Sequence, residues 1–213
     1  MSQPPDPRDN SLLAALPQED AARLLPHLEP VTWSLRTVRY APDCAPAFLY
    51  FPTTAMVSLI STSVSGRTAA TGVVGCEGVV GVALVMGGAS RPGQAMVQMA
   101  GSGCQLPAAV GHTEFERGGA FQSALLRYTQ ALLTQTAQTA VCNRMHAIAQ
   151  RLCRWLLLIH DRVPTTPCHP WCARAVTPIP PVAGQTTPRS RQLIAFGDRA
   201  VLPLWVRWMK GQV

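Results

Sequence analysis

The residues of this chain with the most chemical reach are its cysteines, its histidines and the arginines of its last quarter. The seven cysteines are odd in number and scattered. They do not make the paired framework of a small secreted domain, and they read as reduced thiols, several of them buried. Cys168-His169-Pro170-Trp171-Cys172 has the spacing of a zinc half-site. No second ligand pair follows it, so accidental spacing in an irregular segment is the better reading. His27, His112 and His146 lack any context that would mark a metal or haem ligand. No Ser/His/Asp set, carboxylate pair, phosphate loop or metal cluster appears, and no enzyme is expected.

The net charge of +7 is unevenly placed. Residues 1–163 hold 12 arginines against 10 acidic side chains, a balance of +2. Residues 164–213 hold five arginines and Lys210 against Asp198 alone, a balance of +5. Such a tail can attract nucleic acid through phosphate neutralisation, or can be an arginine-heavy segment with no such role. With 47% hydrophobic and 14% charged residues, the chain reads as folded rather than disordered. Its 213 residues suffice for one substantial core, or one core and a small second domain. No apolar run approaches the roughly 18 residues a membrane span needs. Met1-Ser2-Gln3-Pro4-Pro5-Asp6 lacks the basic start and apolar segment of a signal peptide, so a cytoplasmic location is expected.

The elements that would position any site follow from the pattern. Asn10 or Ser11 is placed to cap a short helix carrying Leu12, Leu13 and Leu16, which ends near Pro17. A second short helix over about 19–28 puts Ala22, Leu25 and Leu28 on one face. The texture then changes to short apolar runs broken by Gly, Pro, Ser and Thr. Candidate strands are 37–40, 48–51, 55–61, 68–74, 95–100 and 103–106, with Ser65-Gly66-Arg67 as a hairpin turn. Short, evenly spaced strands of this kind suggest a sandwich or double-sheet barrel. After Gly111 the period becomes helical. Phe121, Leu125, Tyr128, Leu132, Gln135 and Thr139 recur at alternating steps of four and three, the spacing of a helix seam, and a second copy of the same helix is the simplest partner for it. A further helix over about 144–162 carries Ile148, Leu152, Trp155, Leu156 and Ile159 on one side.

Three stretches carry a resemblance: 10–17 (Asn-Ser-Leu-Leu-Ala-Ala-Leu-Pro), 73–81 (Val-Val-Gly-Cys-Glu-Gly-Val-Val-Gly), and the run from Cys142-Asn143-Arg144-Met145-His146 through Arg151-Leu152-Cys153-Arg154-Trp155-Leu156-Leu157 to Arg162. In this order and at this spacing they resemble the Crp/Fnr family of transcription regulators over about residues 10–163. The resemblance implies an α+β fold: short N-terminal helices, an antiparallel β-roll of the cyclic-nucleotide-binding-like, double-stranded jelly-roll type, a long dimerisation helix, then a further helix. It also implies a small effector held in the roll. The glycine-rich segment 75–81 corresponds to the turn that approaches a phosphate through backbone N–H groups, with Glu77 in place to hold a ribose hydroxyl. Gly75, Glu77, Gly78, Gly81, Arg91 and Gln94 are the candidate effector contacts. Cyclic nucleotide itself is not the expected effector. Gly93-Gln94 stands where such a pocket carries arginine followed by serine or threonine, and Arg91 is offset behind Pro92. The closely spaced N-terminal cysteines of iron–sulfur relatives are absent, since Cys44, Cys76 and Cys104 stand far apart.

The family also implies a winged helix-turn-helix directly after the second helix. Residues 164–213 instead hold eight prolines, a density that breaks every candidate helix before about residue 189. Such a composition is what an out-of-frame reading of a GC-rich gene tends to produce, so loss of the reading frame near position 164 is one expected origin of the tail, and a repurposed tail is the other. The expected organisation is therefore a loose segment 1–10, an effector domain 11–111, a dimerisation helix 112–142, a linking helix 143–163, and a Pro/Arg-rich tail 164–213 without a recognisable winged helix. The function expected is that of a Crp/Fnr-type regulator by descent: a homodimer that senses a small effector, away from membranes, with DNA binding impaired or absent. The alternatives are a regulator whose tail binds DNA in an unrecognised way, and a stand-alone effector-binding or interaction dimer that titrates an intact paralogue.

Overall fold

The computed structural model describes residues 4–41, 46–87 and 93–162. The expectations for Arg91, for the Cys168–Cys172 spacing and for the whole tail 164–213 lie outside these residues. The chain divides into two compact units after Val141.

The first unit begins with a cap. Asn10 opens helix α1 (Ser11–Ala14), and its Oδ1 accepts from the Leu12 and Leu13 amides at 3.1 and 3.2 Å. Leu12 and Leu13 then point into the core. Helix α2 (Gln18–Leu24) starts after Pro17 and buries Leu24. The strands that follow among the described residues are β1 (Glu29–Trp33), β2 (Val38–Tyr40), β3 (Phe48–Pro52), β4 (Met56–Thr62), β5 (Thr68–Val74), β6 (Gly93–Met99) and β7 (Gly101–Pro107). They form a three-stranded sheet in the order β1-β7-β3 and a four-stranded sheet in the order β2-β6-β4-β5. Every strand pair is antiparallel. The fold is thus the mixed helical and antiparallel β-roll expected from the sequence, followed by a long helix.

Two features differ from the sequence reading. Strand β1 lies where no strand was expected, since Glu29-Pro30-Val31-Thr32-Trp33 shows no apolar alternation and only Trp33 is buried. The helical run is also not continuous from 112. Helix α3 (Ala108–Arg117) ends where Gly118 and Gly119 take φ of +81° and +87°, and α4 (Ala120–Met145) starts afresh. Consecutive residues in left-handed conformations break an α-helix, and glycine adopts them without steric penalty.

Two cores result. One gathers Leu12, Leu13, Leu24, Leu49, Phe51, Val79, Leu106, Phe121 and Leu125, joining the N-terminal helices and α4 to β3 and β7. The other fills the roll with Trp33, Tyr50, Val57, Val74, Val80, Ala95 and Val97. An ionic network accompanies the first: Arg23 pairs with Asp20 and, at 3.0 Å, with the buried Glu114, which also accepts from Arg117 at 3.1 Å. In the second unit, α5 (Ile148–His160) is entered through Ala147, whose amide donates to Gln150 Oε1 at 3.0 Å. Of its expected apolar face, Ile159 is buried and Ile148 is exposed. None of the described cysteines, Cys76, Cys104, Cys142 and Cys153, forms a disulfide.

Two outcomes follow from this packing. Asn10 is fully buried, and its Nδ2 donates to Pro52 O at 2.8 Å and to Gly78 O at 2.9 Å. Asn10→Ala strands those two carbonyls and removes the cap, and should cost about 2–4 kcal/mol in urea denaturation. A loss of only a few tenths would show that the carbonyls find other partners. Cys104 is buried, and burial, with smaller contributions from Asp6 and Asp9, pushes its thiol from 9.0 to about 11. The folded state holds this proton more tightly than the unfolded chain. The resulting stability is complete below pH 9 and is lost as pH rises towards 11, on the order of 2 kcal/mol. Cys104→Ala should flatten this alkaline slope in denaturation measured from pH 7 to 11, and parallel slopes in the two proteins would refute the assignment.

Candidate effector site in the roll

The glycine-rich segment leaves β5 at Val74 and turns tightly, with Gly78 N donating to Gly75 O at 3.2 Å. Glu77, the carboxylate assigned by resemblance to an effector hydroxyl, folds back so that Oε2 accepts from Gly75 N at 3.2 Å. The N-terminal segment holds the turn from one side. Ser11 N donates to Cys76 O at 2.7 Å and Asn10 Nδ2 to Gly78 O. Strand β3 holds it from another, because Tyr50 and Val80 exchange both backbone hydrogen bonds, at 3.0 and 2.8 Å. Gly81 then takes φ of +100° and leads into a single 3-10 turn, Val82–Leu84. Gly75, Glu77, Gly78 and Gly81 therefore come together in one segment. Gln94 lies on β6 opposite Ile60 of β4.

Helix α4 closes this region. The ring of Tyr128 lies directly on Gly78, where a Cβ would collide with Cε2, Cζ and the hydroxyl. One turn further, Leu132 packs near Gly72 and Leu59, and Gln135 Oε1 accepts from Val73 N at 2.9 Å. Phe121 and Leu125, 1% and 0% exposed, are core residues of the same chain. Thr139 bonds its hydroxyl to Gln135 O within its own helix, at 2.8 Å. From Phe121 to Gln135, the seam expected to meet a second copy thus packs within its own chain. The sequence showed that this face of α4 is apolar, but not what covers it.

The opposite face of α4 was missed. Leu126, Leu133 and Val141 are 45%, 60% and 52% exposed, and exposed Ala137 and Ala140 continue the stripe between them. The signal was present as the seven-residue step from Leu126 to Leu133 to Ala140, but the larger side chains of the other face obscured it. Among the described residues, no group of three His, Cys, Asp or Glu side chains could hold a metal. No described helix is long and apolar enough to cross a membrane.

No family model and no curated protein matches the chain. Solved structures do. The c-di-GMP-responsive global regulator CLP of Xanthomonas campestris superposes with a TM-score of 0.57 at 19% identity, over 72% of this chain and 77% of that one. A protein described as a transcriptional regulator of the Crp/Fnr family from Eubacterium rectale gives 0.60 at 9% identity, over 72% of each. FixK2 of Bradyrhizobium japonicum gives 0.54 at 14%, over 66% and 69%. The fold is that of the Crp/Fnr regulators.

Within this Crp/Fnr fold, the position of Tyr128 has a direct consequence. The glycine turn has no room for a side chain at 78 while the ring stays in place. Gly78→Ala should lose about 1–3 kcal/mol through overpacking. Tyr128→Ala in the same background should recover part of that loss, giving a coupling in a double-mutant cycle. Strictly additive losses would mean that the two residues do not touch in solution.

Proposed function

We propose that the chain is a Crp/Fnr-type regulator by descent, a homodimer that senses a small effector at the glycine turn and reports it through α4. The observation that carries this reading is the division of α4 into two faces. One face seals the glycine turn through Tyr128 and Gln135, and the other exposes Leu126, Leu133 and Val141 to a partner. A ligand that approaches the backbone between Gly75 and Gly81 has to move the Tyr128 ring, and Tyr128 and Leu126 lie on opposite faces of one rigid helix. Binding in the roll and pairing of the helix are thereby mechanically linked, which is what an effector-responsive dimer requires. Arg91 and Gln94 remain proposed effector contacts. Cyclic nucleotide is disfavoured because glycine and glutamine occupy the arginine and serine positions.

The partner helix packs on the exposed stripe rather than on the Phe121–Thr139 seam. Sequence-specific DNA binding is reduced or lost, since proline-dense residues 164–213 carry no pattern of a rigid reader, and phosphate attraction alone gives only non-specific affinity. The proposed location is the cytoplasm.

The dimer is the part most directly open to test. By sedimentation at micromolar concentration the protein should be a dimer. Leu126→Asp together with Leu133→Asp should yield a folded monomer, because both side chains are already exposed within one chain. Leu125→Asp should instead unfold the effector unit, at a cost of several kcal/mol for a buried unpaired charge. A monomeric wild type, or a double variant that still dimerises, would overturn the reading.

A further inference from the structure

Across Tyr50 from the glycine turn, the roll holds a cation that pairs with no carboxylate among the described residues. Val38 of β2 pairs with Met96 and Tyr40 with the adjacent Ala95, so Arg39 is the extra residue of a β-bulge on an edge strand. Bulges re-aim side chains, and they concentrate at sheet edges and beside functional sites. Here the guanidinium carbon lies 5.9 Å from the Trp33 ring centroid and 5.8 Å from that of Tyr50. The two rings meet edge to face, with centroids 6.0 Å apart. Arg39 is thus held half-buried in an aromatic corner.

Two donors of this corner have no acceptor. Arg39 Nε and Trp33 Nε1 are both buried donors without a hydrogen-bond partner, and Trp33 is 1% exposed. Among the described residues, no carboxylate pairs with Arg39. An arginine keeps its charge at every accessible pH, and an indole N–H can only donate. Ring faces recover part of the cost of partly burying a cation, but they leave its in-plane N–H groups unused. Two such donors in one cluster match an oxyanion, whose several lone pairs accept from both at once.

We propose that Arg39 and Trp33 form an anion site inside the roll, taking the carboxylate or phosphate group of a small molecule, with Tyr50 as its aromatic wall. The oxyanion accepts from Arg39 Nε and Trp33 Nε1. The site uses none of the residues of the glycine turn, and its existence does not depend on the regulatory reading.

The test is a titration of the full-length protein with inorganic phosphate and, separately, with succinate, at ionic strength held constant with sodium chloride. The readout is the Trp33 indole N–H resonance, assigned by its absence in Trp33→Phe. A saturable shift with either probe is expected. Response to phosphate alone assigns a phosphate-bearing ligand, and response to succinate alone assigns a carboxylate. Arg39→Leu should abolish the shift while leaving the fold at least as stable, since a half-buried cation with an unmet donor is removed from the corner. Arg39→Lys keeps the charge but loses the planar fork, and should weaken binding by about tenfold or more. A resonance that neither probe moves would show that the donors are met by water alone, and the proposal would fall. So would a shift that survives Arg39→Leu.

Discussion

The arrangement of the first unit depends on one buried amide. Asn10 uses all four of its hydrogen-bonding positions without reaching solvent: two lone-pair directions on the first turn of α1, and two N–H groups on the carbonyls of Pro52 and Gly78. Only a carboxamide provides two donors and two acceptors in one neutral planar group, and asparagine carries it on a shorter stem than glutamine. It fixes where the N-terminal helices lie and where β3 ends, and it also fixes one side of the glycine turn. Because each bond is buried, it is protected from competition by water. A segment that looks like a peripheral leader thereby becomes part of the site.

The other side of the turn is fixed by α4, and here the two cores meet. Tyr128 packs against both the core under the N-terminal helices and the core within the roll. Its ring covers Gly78, and steps of four and then three residues bring Leu132 and Gln135 onto β5 and its neighbour. A helix that makes a side-chain hydrogen bond to a strand amide, as Gln135 does to Val73, is fixed in rotation as well as in position. That rotation is what leaves Leu126, Leu133 and Val141 facing outward. The exposed stripe is therefore a consequence of how the opposite face packs on the roll, which is why the two faces have to be understood together.

Much of this was legible in the sequence, and the failures have physical causes. Strands β2 to β7 were found within a few residues, because their apolar runs are bounded by Gly, Pro and Ser turns. Strand β1 escaped because it is an edge strand with one buried residue, so its identity is set by pairing with β7 and not by its own pattern. Asn10 was recognised as a cap candidate beside Ser11, whereas its long-range bonds to Pro52 and Gly78 have no local signature. The α4 seam was correctly read as apolar and helical. Periodicity reports that a face is buried and is silent on what buries it, so the assignment to a second copy could not be distinguished from burial on the chain's own roll. The break at Gly118–Gly119 was written in the sequence and was overridden by the longer periodic run.

Arg39 was the least legible residue, and the reason bears on how the roll works. A single arginine between Val38 and Tyr40 reads as an outward residue of an edge strand, and only the bulge turns it towards Trp33 and Tyr50. Tyr50 is the hinge of the arrangement. Its ring walls the arginine corner, while its backbone exchanges both hydrogen bonds with Val80, two residues beyond Gly78. Burial also raises the Tyr50 phenol above its ordinary range, against the lowering influence of Arg39. The ring thus stays neutral and acts as an apolar wall to the cation rather than as its counter-ion. A change in what Arg39 binds acts on a residue whose main chain is tied to the glycine turn. The turn in turn carries Tyr128 and the outward face of α4. The bulge, the bridge from Tyr50 to Val80 and the ring on Gly78 form one continuous series of packed and hydrogen-bonded contacts within a single unit.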